Sequence, residues 1–215
     1  MTRVVIVGAG GHGREVADVV RACVAAGEDI ELVGFVDEDP SLHGRMFDGV
    51  PVLGSSAWLE GRAHDVQLLC GLGAPATKAK VVPKFSGRGF TWRGLIHPRA
   101  ELTRTATLDE GVIVTAGVVV TNEIEIGAHV HLNRNSTVGH DCRVGAYVHL
   151  APGAVLSGDV TVGEGCDIGT CACVIQGLTV GPWTVVGAGA AVIRDLPGHC
   201  TAVGVPARVL QRRAA

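Results

Sequence analysis

Two hydrophobic periods divide the chain. From Leu102 onward, every sixth residue through Leu108, Val114, Val120 and Ile126 to Val192 is aliphatic, sixteen positions without a slip. The residues two places earlier, from Ala100 through Val112, Val130, Ser136, Cys142 and Cys166 to Ala190, are all small or aliphatic. A strict period of six predicts a hexapeptide-repeat β-helix, in which each unit supplies one short strand and one turn. Three units make a triangular coil of about 18 residues, so residues 18 apart stack. Glycines follow many of the aliphatic positions, as at Gly127, Gly139, Gly145 and Gly163. They are expected to supply tight corners with conformations open to glycine. Cys142 and Cys166 fall in the small inward column and are expected in the core. The period does not fix the hand of the coil.

Before the repeat the pattern is α/β. Arg3 to Val7 predicts a buried strand, and Gly13 to Ala26 a helix with Val16, Val19, Val20 and Cys23 on one face. Leu32 to Val36 and Val66 to Cys70 predict further strands, a helix is expected from Pro75, and Thr91 to Ile96 is a candidate last strand. Alternation of strand and helix predicts a small, mainly parallel, Rossmann-like sheet. The expected domains are residues 1–97, an α/β unit, and 98–215, a β-helix with a C-terminal tail.

Composition narrows the function. The 215 residues are 47% hydrophobic but only 4% aromatic, with 31 glycines, which excludes disorder and leaves a core of aliphatic side chains. A net charge of −3 gives no basic excess for nucleic acid. No apolar run reaches the ~18 residues that span a bilayer, so no membrane partner is expected. Met1-Thr2-Arg3 leads straight into the first strand rather than a signal sequence, and a cytoplasmic location is expected. The seven cysteines are odd in number and form no CxxC pair, as expected of free thiols in a reducing compartment.

The candidate chemistry lies in two places. Gly8-Ala9-Gly10-Gly11-His12-Gly13 satisfies G-x-G-x-x-G between a strand and a helix, with Asp37 closing the next strand. Bare N–H groups at a helix N-terminus hold phosphate. A nucleotide diphosphate joined to a sugar suits so small a domain better than a nicotinamide dinucleotide, and a purely structural turn is the remaining alternative. On the repeat, His129, His131, His140 and His149 avoid both inward columns and are expected to face outward. Outward histidines can hold zinc between subunits, as in the β-helical carbonic anhydrases, but their spacing is missing and no metal is expected. His140 and Asp141 share a corner, where a carboxylate fixes an imidazole as general base. The alternative is a surface histidine with a chance neighbour.

The repeat resembles the left-handed β-helix acyltransferases. With the glycine loop, Leu95-Ile96-His97, the run Ser136-Thr137-Val138-Gly139-His140-Asp141-Cys142 after Asn133, and Gly204-Val205-Pro206-Ala207-Arg208, the chain resembles sugar acetyltransferases of the sialic acid and nucleotide-linked amino-sugar type. It is most similar to the GDP-perosamine N-acetyltransferases. The resemblance implies acetyl-CoA as cosubstrate and a nucleotide-linked 4-amino-4,6-dideoxy sugar as acceptor, in surface-glycan biosynthesis. UDP-amino-sugar N-acetylation, sialic acid O-acetylation and a non-catalytic nucleotide-sugar scaffold are the alternatives. It implies His140 as the base. Gly10, Gly11, His12, Asp37, Glu38 and Gly71 would contact the nucleotide-sugar, and Asn133 either substrate or its own turn. His149, Thr170, Ala188 and Arg208 would contact the coenzyme. It also implies a homotrimer with the coenzyme between neighbouring prisms. One coil beyond His140 stands Gly158, whose N–H is a candidate oxyanion donor and whose missing side chain would leave room for the acetyl group. Its alternative is an ordinary corner glycine.

Overall fold

The computed structural model describes residues 1–212. The first unit is a five-stranded sheet flanked by two helices. Its strands are β1 (Thr2–Val7), β2 (Ile30–Val36), β3 (Met46–Phe47), β4 (Val50–Gly54) and β5 (Gln67–Cys70), in the spatial order β3-β4-β2-β1-β5. All neighbours are parallel except β3 and β4. Val4, Val5 and Ile6 of the central β1 are fully buried, as a strand covered on both faces requires. The helices are α1 (Gly11–Ala25) and α2 (Pro75–Ser86). α1 buries Val16, Ala17, Val19, Val20 and Cys23 against the sheet, and α2 opens on Pro75, whose missing N–H would be unpaired there anyway. The β3–β4 hairpin is absent from the hydrophobic pattern. Its signal is the turn, Asp48-Gly49, with positive φ at both residues (47° and 78°), which matches a tight hairpin between short strands.

The second unit is a left-handed parallel β-helix of two-residue strands. Its first face stacks Leu95–Ile96, Ile113–Val114, His131–Leu132, His149–Leu150, Asp167–Ile168 and Val185–Val186. The second runs from Glu101–Leu102 through Val119–Val120, Thr137–Val138, Val155–Leu156 and Cys173–Val174 to Ala191–Val192. The third runs from Thr107–Leu108 through Glu125–Ile126 and Arg143–Val144 to Thr179–Val180. Partners are 18 residues apart, as His131 with His149 and His149 with Asp167. Both predicted columns fill the prism, and Cys142 and Cys166 are fully buried in it. The candidate strand over 91–96 divides. Trp92 bridges Leu68 at the edge of the first sheet, whereas Leu95–Ile96 begins the first face of the prism.

The corner glycines have another cause than expected. The positive-φ column is Gly111 and every sixth residue to Gly189, and it includes Glu123, His129, Asn135, Asp141 and Tyr147. Gly127, Gly139, Gly145 and Gly163 are not in it. They are small because the next coil passes too close: a Cβ at Gly145 would lie 2.6 Å from the Glu164 nitrogen.

The units share their cores. Leu95 and Ile113 of the prism join the cluster under α1, and Tyr147 packs on the cluster of Phe85, Phe90 and Trp92 beyond β5. The first unit therefore covers the outer side of the first face. Among the described residues, no helix is long and apolar enough to cross a membrane.

Candidate active site

His140 and Asp141 lie in the turn joining the second face to the third, between Thr137–Val138 and Arg143–Val144. The His140 Nδ1 is 2.7 Å from Asp141 Oδ2, and both side chains are more than half exposed. In the neutral tautomer that this contact selects, Nδ1–H donates to the carboxylate and Nε2 keeps its lone pair. An open groove of about 760 Å³ runs beside them, lined also by Thr105, Glu123, Glu125, Arg143 and Asp159.

Gly158 stands one coil above, and its Cβ position is occupied by the His140 ring. The expected room for an acetyl group is thus taken by the imidazole, which rests against Gly158 of the next coil. The Gly158 N–H donates to no acceptor among the described residues. Gly158→Ala is expected to push the ring off its coil and lower kcat by about 10²-fold with little change in KM. Steady-state kinetics check this, and an unchanged kcat contradicts it.

The glycine loop is built as its spacing requires. Gly8 has φ 103°, and a Cβ at Gly13 would run into the Gly8 carbonyl. Gly71 is needed for packing, because its Cβ would come 2.7 Å from both the Gly8 oxygen and Ile6. Gly10, at the N-cap of α1, and Gly11 are exposed with open space over them. Asp37 is engaged inside the chain: Ala9 N–H donates to Oδ2 (2.8 Å) and Asp39 N–H to Oδ1 (3.0 Å). Glu38 Oε1 accepts from Ser56 N–H at 3.1 Å. Both carboxylates therefore shape the loops around the cradle.

His12 departs from the expected phosphate contact. Its Nε2 is hydrogen bonded to His131 Nδ1 across the domain seam, and its Nδ1 is 3.6 Å from Glu15. Burial, then the neighbouring His149, lowers its pKa to about 4. The outward histidines need the same correction. His129 and His131 do leave the prism core, but the first unit covers them and both are buried. Burial lowers His129 to about 4 and His131 well below the usual value. No hydrophobic period signals this, because a covered outer face and a solvated one have the same periodicity.

His149 lies beside His12, with ring centroids 6.1 Å apart. Its Nδ1 contacts Asp167 Oδ1 at 3.0 Å and its Nε2 is buried, so this pair shows solvent mainly its carboxylate. Asn133 is buried and accepts from Arg134 N–H at 2.8 Å, the turn-capping alternative. Thr170 and Ala188 are exposed and stack along the edge between the first and second faces, with Gly189 N–H on Thr170 O (2.8 Å). Arg208 is exposed in the last strand. Among the described residues, no three His, Cys, Asp or Glu side chains are placed to hold a metal ion.

The comparisons agree with this architecture. Residues 3–85 match the PglD N-terminal domain family, and residues 123–158 match the bacterial transferase hexapeptide repeats. A perosamine N-acetyltransferase variant from Caulobacter crescentus, solved with CoA and GDP-perosamine, is 39% identical, with TM-score 0.90 over 98% of each chain. The chain belongs to this family of hexapeptide sugar N-acetyltransferases. The acetyltransferase domain of PglB from Neisseria gonorrhoeae FA1090, in complex with acetyl coenzyme A, is 33% identical with TM-score 0.88, over 97% of this chain and 98% of that one. A GDP-perosamine N-acetyltransferase from Escherichia coli O157:H7 is 29% identical over 139 residues, 64% of this chain. That match spans 62% of the relative's length, under two thirds. Family membership accounts for the pairing of a glycine-loop unit with a prism, a combination the sequence already displays.

Proposed function

We propose that this chain is an acetyl-CoA-dependent N-acetyltransferase acting on the 4-amino group of a nucleotide-linked 4-amino-4,6-dideoxy sugar, GDP-perosamine before others. One observation carries the proposal. A solvent-open imidazole–carboxylate dyad stands on a chain 39% identical, end to end, to an enzyme solved with CoA and GDP-perosamine. That relative and a second one are variants in which a histidine is replaced by asparagine or alanine, which supports a histidine at the centre of the chemistry.

His140 Nε2 takes the proton that the sugar nitrogen must lose as it attacks the thioester, and Asp141 stabilises the imidazolium that forms. The proton then leaves with the departing sulfur or passes to solvent, which returns the dyad to its starting state. The N–H of Gly158, which has no acceptor among the described residues, lies on the adjacent rung as oxyanion donor. Gly10 and Gly11 at the N-terminus of α1 hold the nucleotide diphosphate. Asp37, Glu38 and Gly71 shape that cradle, and His12 anchors it. The coenzyme runs along the edge of Thr170 and Ala188, with the His149–Asp167 pair at its side and Arg208 near its phosphates.

These parts do not meet within one chain. His140 occupies the edge between the second and third faces, and the glycine loop packs over the first face, on the opposite side of the triangle. Thr170 and Ala188 lie on yet another edge. A second copy must bring its own edge alongside, and a homotrimer closes three such sites. Beyond Glu101, which opens it, the outer column of the second face (Val119, Thr137, Val155, Cys173 and Ala191) carries no charge and suits that contact.

Thermal-shift titration tests the nucleotide assignment. GDP is expected to raise the melting temperature more than UDP, CMP or NAD, because a ligand bound only by the folded state stabilises it. A larger shift with UDP would move the acceptor to a UDP-linked sugar, and a shift with NAD alone would contradict the proposal.

A further inference from the structure

The seam between the two units holds an ionisable group that the chemistry above does not use. Lys78 of α2 is fully buried, and its Nζ donates to the carbonyl oxygens of His129 (2.8 Å) and Val148 (3.2 Å) on consecutive coils. No carboxylate pairs with it among the described residues. Burial lowers its pKa to about 8. An ammonium held in a dry interface by two neutral acceptors is costly to fold around, and an apolar side chain of similar length would fill the same space at less cost.

Its surroundings supply a reason. Its charge acts on His129 and His131 of the prism and on His12 of α1, while Cys70 of β5 and Asp167 act on it in turn. His149 also faces the His12–His131 pair, and Glu15 of α1, 3.6 Å from His12, opposes the others by favouring its protonation. The His12 and His131 ring centroids are 4.5 Å apart, with planes 27° from parallel. The His12 Nε2–His131 Nδ1 contact makes them partners in an N–H···N bond between two imidazoles. Such a bond holds one hydrogen between two nitrogens. A second proton turns the acceptor into a donor and breaks it. After burial, the Lys78 charge is the next largest influence keeping His131 unprotonated, and it acts on His12 in the same direction.

We propose that Lys78 is a positioning residue for the glycine loop: seated on two β-helix carbonyls, it repels a second proton from the His12–His131 pair, and that neutral pair latches the loop to the prism. His12 directly follows Gly10 and Gly11 in the first turn of α1, so the latch fixes the segment on which the diphosphate would rest. The Arg134–Glu15 contact at 2.9 Å ties the same turn to the prism, but both side chains are exposed, so its support is weak. The proposal rests on the loop's being the nucleotide-diphosphate site.

The sign follows from the depressed imidazoles. His12 has a folded pKa of about 4, against 6.5 ordinarily, so the latch is intact above the ordinary value and is lost as pH falls toward 4. Removing the Lys78 charge moves that loss to higher pH. The experiment combines GDP titration calorimetry with imidazole ¹⁵N spectra at about pH 7.5 and about pH 5.5, on wild type, Lys78→Met and Lys78→Arg. Lys78→Met is expected to lose about tenfold more GDP affinity than wild type over that interval, the loss that follows when its pair takes the second proton near the ordinary 6.5 instead of near 4. Its His12 or His131 signals should become those of an imidazolium at the lower pH, while Lys78→Arg stays close to wild type. Comparison between proteins cancels the ionisation of GDP itself. Equal pH dependence in wild type and Lys78→Met overturns the proposal. So does a wild-type His131 already charged at the lower pH, a result that needs no variant to fold. If GDP binds no protein at either pH, the nucleotide assignment fails, and the spectra still decide the latch.

Discussion

Replacing His140 with asparagine is expected to cut kcat by at least about 10²-fold while leaving the affinity for the nucleotide-linked sugar nearly unchanged. Asparagine fills similar space at the corner but cannot take up a proton. The fold tolerates the change, because the His140 side chain is 67% exposed and its ring only rests on Gly158. Asp141→Asn is expected to cost less, since the imidazole keeps its seat and loses only the group that fixes its tautomer. Steady-state assay of coenzyme thiol release checks both variants. Wild-type turnover by His140→Asn would end the proposed mechanism.

The second large effect comes from the second face. Val155 stands near the middle of its outer column, within the uncharged stretch from Val119 to Ala191, and is 36% exposed in the single chain. Val155→Arg is expected to leave the β-helix intact, because the residue points away from the prism core. A desolvated, unpaired guanidinium would instead prevent neighbouring copies from closing. The variant should sediment as a monomer of 22.1 kDa and lose at least about 10²-fold in kcat/KM, since His140 and the glycine loop no longer face each other across two chains. A monomeric variant with full activity would show that one chain suffices.

Much of the prism was legible because its constraint is strictly periodic. One aliphatic position in six and a second column two places earlier leave no other way to bury those side chains, and Cys142 and Cys166 could be placed in the core by column alone. The dyad was legible for the same reason, since the repeat fixes residues 140 and 141 at a corner. The glycine loop was legible from its spacing. What covers an outer face was not, because a docked domain leaves the hydrophobic period of the prism unchanged. His131 looked like a surface residue and is instead buried against His12. Lys78 lies on a helix whose polar positions look solvated, and only the packing of α2 on the prism reveals its burial. The corner glycines show a related limit: sequence marks where glycine stands, but the reason at Gly145 is the neighbouring coil, not a left-handed conformation.

The central claim is acetyl transfer to a nucleotide-linked amino sugar at the His140–Asp141 edge. It is tested most directly by incubating the protein with acetyl-CoA and GDP-perosamine, then measuring free coenzyme thiol and the mass of the sugar nucleotide together. The expected result is stoichiometric thiol release with one acetyl group gained as an amide on the sugar nitrogen, and with both signals suppressed in His140→Asn. Thiol release without an acetylated sugar, or no transfer to GDP-perosamine or any other nucleotide-linked 4-amino sugar, would contradict it.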